Sequence, residues 1–169
     1  MFITKMIDLE HYSGLKGGRK MDPVFITIHE SNSPKSAVDF AADLSDPRFP
    51  ESCHYCVDEE NVVQLLPDNV TGHHAGDGSY GPGNSYSIGI EVCRNESKYP
   101  ERYEQAKENA AELVAVLMER YSIPLENVVQ HNHWDGSDCP KRMRKEKKWK
   151  AFLKKCLKYE NKHTQKNDI

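Results

Sequence analysis

"VFITIHES", residues 24–31, is a run of β-branched and apolar side chains closed by histidine, glutamate and serine. Its composition and boundaries predict a buried strand, with His29 left at the C-terminal end. Working outward, "SPKSAVDFAADLSDP" (33–47) opens on Ser-Pro, repeats apolar residues at 37, 40, 41 and 44, and stops at Pro47, which predicts a helix. "CHYCVDEENVVQLLP" (53–67) reads as strand, turn, strand, and "SIGIEVC" (87–93) as another apolar strand. Residues 101–121 carry a 3.6-residue apolar stripe from Ala106 to Tyr121 and predict a long helix. "NVVQH" (127–131) is a short strand ending in histidine, and Pro140 suits the start of a final basic helix. That helix carries Trp149, Phe152, Leu153, Cys156 and Leu157 as its apolar stripe. The resulting β-α-β-β-β-α-β-α order predicts an α/β fold, a mixed central sheet flanked by helices.

A chain of 169 residues is long enough for one domain with one good core. Residues 1–160 are expected to form it, with 161–169 as a basic polar tail. The charged fraction of 29% suits a water-exposed surface, and the absence of any run of 18 apolar residues argues against membrane insertion. "MFITKMIDLEHYSG" lacks a basic region followed by a long apolar stretch, so no signal peptide is expected. Charge is unevenly spread. Residues 141–169 hold 12 Lys/Arg against 3 Asp/Glu, whereas residues 1–140 hold 11 against 23. The basic end reads as a solvated helix face, or as a contact for an anionic polymer. A nucleic-acid partner is disfavoured, because few aromatic side chains for base stacking accompany those cations.

The five cysteines (53, 56, 93, 139, 156) are an odd number, which argues against a disulfide scaffold. "CHYC" has no second CxxC to complete a four-cysteine site, and on a strand Cys53 and Cys56 would face opposite sides. A denser set lies in "QHNHWDGSDCP" (130–140). His29, His131 or His133, and Cys139 stand at strand ends or just after, and three such side chains are what a catalytic zinc site uses. Spacing does not choose between His131 and His133. Glu91 is a carboxylate inside a β-branched run, where burial costs free energy unless the group is paired or used. The Gly-rich stretch 69–87 reads as a long loop, of the kind that in compact domains is usually functional or disordered, with simple connection as the other role.

"ITIHES", "SCHYCVDEENVVQLLP", "GHHAGDG", "NSYSIGIEVC" and "VVQHNHWDGSDCP" together resemble, in order and spacing, the zinc-dependent N-acetylmuramoyl-L-alanine amidases of phage endolysins and bacterial autolysins. Peptidoglycan recognition proteins share that fold. The resemblance covers about residues 22–157. It implies Zn²⁺ held by His29, His131 and Cys139, with Glu91 as catalytic glutamate and His133 as a neighbour of the ligands. It implies that His54 and His74 line a substrate groove, with Tyr80 and Tyr86 on a wall made by the 69–87 loop. Two positions depart from the pattern. Ser137 stands where many relatives have a lysine, and Cys53 where some have a tyrosine. The oxyanion helper is therefore to be sought among His54, His74 and the Ser137 hydroxyl. The implied partner is bacterial peptidoglycan, cut by a monomer released from the cytoplasm. The other function of this fold is to grip peptidoglycan without cutting it, and the presence of both Cys139 and Glu91 favours catalysis.

Overall fold

The computed structural model describes residues 1–7, 17–93 and 98–167, with side chains in the last helix described through residue 161. Six strands form one sheet: β1 (Phe2–Thr4), β2 (Phe25–Glu30), β3 (Tyr55–Val57), β4 (Val62–Gln64), β5 (Ser87–Val92) and β6 (Val128–Gln130). Their order across the sheet is β1-β4-β3-β5-β2-β6. Only the β3–β4 pair is antiparallel, so the sheet is mixed, as the alternation of elements predicts. β5 and β2 are adjacent interior strands, each paired on both sides by parallel neighbours, and their sequences are the most continuously apolar.

Alternation along these two strands decides which residues meet. Ile26, Ile28, Ile88, Ile90 and Val92 turn to one face and join the larger core. That face is covered by α3 (Pro100–Tyr121), whose Ala106, Ala110, Val114 and Leu117 form the expected stripe, and by α6 (Trp149–Asn167). Each fully buried Ile or Val contributes roughly 1.5–3 kcal/mol through removal from water. The intervening residues, Thr27, His29, Ser87, Gly89 and Glu91, turn to the opposite face. There α1 (Ala37–Leu44) packs Ala37, Ala41 and Leu44 over a second core with Cys56, Val63 and Leu65. Ser36 caps α1 by accepting from the Asp39 N–H at 3.1 Å, the local chemistry that starts the helix there.

Several elements depart from the expectation. β1 is an added edge strand whose three residues give no periodicity to read. The 69–87 loop contains a short helix, α2 (Pro82–Tyr86). Its sequence, PGNSY, is a poor helix former. It folds because Pro82 begins it and the Asp77 carboxylate accepts from the Gly83 N–H at 2.6 Å and the Asn84 N–H at 3.3 Å. Beyond β6, α4 (Asn132–Asp135) is one turn, and Pro140 precedes a separate helix, α5 (Lys141–Lys145), rather than the final one. On α6 the apolar stripe ends on Tyr159, which packs on the core and donates to Glu108 at 3.2 Å, while Leu157 is exposed. Its backbone stays helical to Asn167. Among the described residues no helix is long and apolar enough to cross a membrane.

Candidate metal and catalytic site

Register brings the site together. β2 and β5 are parallel and in register, with His29 directly opposite Glu91 near their C-terminal ends. Both side chains therefore point to the α1 face, side by side. β6 runs parallel on the other flank of β2, and the His131 N–H donates to the Ile28 carbonyl at 3.2 Å, so the chain leaves the sheet beside His29.

The return to Cys139 is made by a small closed loop. α4 follows His131 at once and ends at Gly136, whose φ of 77° is the left-handed conformation that glycine adopts without cost. Asn132 ties the loop shut. Its N–H donates to the Cys139 carbonyl at 2.9 Å and its Nδ2 to the Ser137 carbonyl at 2.6 Å. The Ser137 N–H donates to Asp135 at 2.8 Å. The crowding of polar residues in 130–140 is thus partly a folding device: Asn132, Asp135 and Gly136 build the turn that presents Cys139.

His29, His131 and Cys139 each offer a donor atom, and these lie within 4.8 Å of one another, the only such group of three among the described residues. Cys139 Sγ is 4.0 Å from His29 Nδ1, and the two imidazole centres are 4.6 Å apart. His131 Nε2 is enclosed and makes no hydrogen bond, with an Asp135 carboxylate oxygen 3.3 Å away. A nitrogen and sulfur donor set converging with an orphaned buried nitrogen fits a metal ion of the kind that binds imidazole and thiolate. Burial, together with the neighbouring His74 and His131, holds His29 well below the usual histidine range, in the neutral form a metal requires. Burial beside Glu91 pushes the Cys139 thiol up to about 12 without a metal.

Glu91 Oε2 is also enclosed with no hydrogen-bond partner. Burial, then the charges of Glu51 and Glu30, raises its pKa from 4.5 to about 8. This carries a stability prediction for the metal-free protein. The unfolded glutamate ionises first, so stability falls as pH rises from about 4.5 through about 8. In chelator, Glu91→Gln is expected to melt above wild type at pH 9 and level with it at pH 4. Parallel melting curves across that range would remove Glu91 as the source.

These groups line a cavity of about 330 Å³ that also includes His74, Ser137 and Glu51. A larger hollow, about 590 Å³, lies between the β3–β4 turn and α3 and presents no histidine or cysteine. Of the residues expected to line the groove or help the oxyanion, His74 and Ser137 are present. His54 is not: it is fully buried, its Nδ1 accepts from the Gly89 N–H at 3.0 Å and its Nε2 donates to the Val70 carbonyl at 2.8 Å. Both nitrogens are spent on backbone, which leaves none for substrate. Tyr80 is 83% exposed and lies beneath the Arg19 guanidinium, and Tyr86 faces a separate hollow with Lys20 and Asn69, so neither lines the cavity. His133, carried by α4 instead of a strand, turns away from the cluster of His29, His131 and Cys139, stacks edge-on against Trp134 and faces Trp149 and Leu153. Cys53 and Cys56 are not on opposite sides: β3 begins only at Tyr55, and their sulfurs lie 3.7 Å apart in the second core.

Three further residues went unread in the sequence. Asp135 stands beside His131. Gly89 leaves space that His74 occupies. Glu30 is buried and accepts from the Arg142 and Met143 N–H groups at 2.7 and 3.1 Å and from the Tyr103 hydroxyl, fastening α5 to the end of β2. A second acid directly after the strand-end histidine was the available signal for Glu30. Gly89 was signalled by a lone glycine inside an apolar strand.

A mixed α/β domain with His, His, Cys and an enclosed carboxylate gathered at neighbouring strand ends has the makings of a metal-dependent hydrolase. Residues 19–142 match the model of the N-acetylmuramoyl-L-alanine amidase family, and the chain belongs to that family. It is 38% identical over 139 residues to the N-acetylmuramoyl-L-alanine amidase CwlH of Bacillus subtilis, covering 80% of this chain and 54% of CwlH. It is 40% identical over 129 residues to the amidase XlyA of the same organism, covering 75% and 42%. The chain thus spans about half the length of the curated relatives it matches. Among solved structures it is similar to PlyL, with a TM-score of 0.85 at 34% identity over 92% of this chain and 96% of that one. It is similar to the catalytic domain of XlyA as well, with a TM-score of 0.82 at 34% identity over 92% and 99%.

Proposed function

We propose that this chain is the catalytic domain of an enzyme that hydrolyses the amide bond between the lactyl group of N-acetylmuramic acid and L-alanine in bacterial peptidoglycan. The carrying observation is the placement of Glu91, enclosed and without a partner at Oε2, on the strand position opposite His29. Support comes from the family and from relatives of this identity that bear the amidase name.

His29, His131 and Cys139 would hold Zn²⁺, for which imidazole and thiolate donors are suited. When bound, zinc supplies Lewis-acid polarisation of the scissile carbonyl and makes water a competent nucleophile near neutral pH. Glu91 does the proton work. Its carboxylate accepts a proton from the attacking water at Oε2 and passes it to the leaving amine nitrogen, so the C–N bond breaks as a neutral amine departs. Ser137, on the cavity wall where many relatives have lysine, brings no cation to the carbonyl oxygen. Because both His54 nitrogens are occupied by backbone, the Ser137 hydroxyl and His74 are the expected helpers that remain beside the cavity.

Incubation with purified peptidoglycan is expected to release new L-alanine amino termini without new reducing sugar ends. Binding without new amino termini would make the domain a module that grips the wall, and new reducing ends would make it a glycosidase.

The basic end adds a second expectation. Lys150, Lys154 and Lys158 are exposed on α6. Reversing all three to glutamate is expected to leave turnover of soluble muropeptides unchanged and to lower lysis of whole cells, whose walls carry anionic polymers. The deficit should shrink as added salt shortens the screening length. Equal lysis at low salt would leave these lysines as a solvated face. Action on the wall requires release from the cell that makes the protein, or addition from outside.

A further inference from the structure

His74 lies against the cavity but spends its ring on the protein, and the direction of its hydrogen bonds can be deduced. Its Nε2 is 3.2 Å from the Ser87 carbonyl, which only accepts. Nε2 therefore carries the proton, and in the neutral ring Nδ1 is the acceptor. That Nδ1 is 3.0 Å from His29 Nε2, which must then donate. His29 is left with its proton on Nε2 and its lone pair on Nδ1, the atom that faces Cys139 Sγ. A backbone carbonyl in β5 thus sets, through two imidazoles, which nitrogen of His29 is available to a metal.

The seat of His74 is made for this ring. A Cβ at Gly89 would lie 2.8 Å from His74 Cγ and Cδ2, and one at Gly72 would lie 2.9 Å from Cδ2. Asn84 Oδ1 accepts from the backbone N–H groups of His74 and Ala75 at 2.7 and 2.8 Å, fixing the stem that carries the ring. His54 stands behind it. By accepting from the Gly89 N–H and donating to Val70, it pins the glycine on which His74 lies.

We propose that His74 is a positioning residue that holds His29 in the Nε2–H tautomer and so presents Nδ1 to the metal, with Gly89 and His54 as the floor that keeps it there. The proposal rests on the metal site proposed above. It differs from a substrate-groove role, which would leave metal affinity untouched.

The test has a metal-free arm and a zinc arm. Long-range ¹H–¹⁵N spectra of the zinc-free wild type are expected to show both His29 and His74 protonated at Nε2. In His74→Ala, zinc affinity measured by competition with a chromophoric chelator is expected to fall about 10–100-fold, the usual loss when an outer partner of a ligand is removed. His74→Asn, which keeps an oxygen acceptor close to the Nδ1 position, should recover much of that loss. Gly89→Ala, which displaces the ring without touching a ligand, should reproduce it. An Nδ1-protonated His29 in the zinc-free wild type, or unchanged zinc affinity in a folded His74→Ala, overturns the proposal. If His74→Ala does not fold, the wild-type tautomers and Gly89→Ala decide. A wild type that binds no zinc overturns the metal reading instead, a result distinguishable because the tautomer arm needs no metal.

Discussion

Replacing Glu91 with alanine is expected to cut turnover of a soluble muropeptide by about 10²–10⁴-fold, the range for loss of a general acid–base group, while zinc content and fold are kept. The reasoning is positional and energetic. Glu91 stands opposite His29 in the parallel register, on the same face and facing the same cavity. Its Oε2 is enclosed and unbonded, an arrangement that costs stability and that a structural salt bridge would have relieved. A carboxylate kept at such a cost, with its pKa moved to about 8, is fitted to carry a proton rather than to hold the fold. The alanine variant should therefore lose activity without losing stability. Measuring kcat, bound zinc and melting temperature on one preparation separates the outcomes. Wild-type turnover would place the proton transfer on another group, and loss of zinc or fold would make Glu91 structural.

The parts of the fold that were legible in the sequence are those where one local pattern decides the outcome. "VFITIHES" and "SIGIEVC" read as strands because Ile26, Ile28, Ile88, Ile90 and Val92 turn to the larger core, and the stripe of α3 follows from its single buried side. Long-range devices were not legible. α2 depends on Asp77, five residues before Pro82, and β1 exists only because β4 presents an edge to it. The short helix α4 turned His133 away from His29, His131 and Cys139, a consequence no spacing rule for strands contains.

The site shows the same division. That histidines and a cysteine at strand ends gather into one cluster could be read from residue type and element order. The duties of individual histidines could not, because a histidine in the sequence carries no sign of which nitrogen meets a carbonyl. His54 and His74 looked alike; the structure gives one to the backbone of Val70 and Gly89 and the other to His29. Glycine was the better signal. Gly72 and Gly89 mark, by the absence of a side chain, the space that the His74 ring fills.

Cys139→Ser is expected to weaken zinc binding by more than the roughly 10–100-fold that removal of an outer partner costs, since on the proposed assignment it replaces a ligand atom itself. It should also change how binding depends on pH. Without metal, burial beside Glu91 keeps the Cys139 thiol protonated up to about 12. Zinc binds thiolate, so each ion bound near neutral pH must expel that proton, and wild-type affinity should rise with pH. His29 adds little to the slope there, because burial already holds it neutral. Serine is a far weaker acid and stays protonated, so the variant should bind through the two histidines and water. Its plot of log affinity against pH between 6 and 8 should flatten by about one proton per ion, the one that the thiol no longer releases. Calorimetry in buffers of different ionisation heat counts the same proton independently. If Cys139→Ser retains both the affinity and the pH slope of wild type, the sulfur is not a ligand. The Asp135 carboxylate, 3.3 Å from His131 Nε2, and Glu91 on the cavity wall would then be the donors to test next.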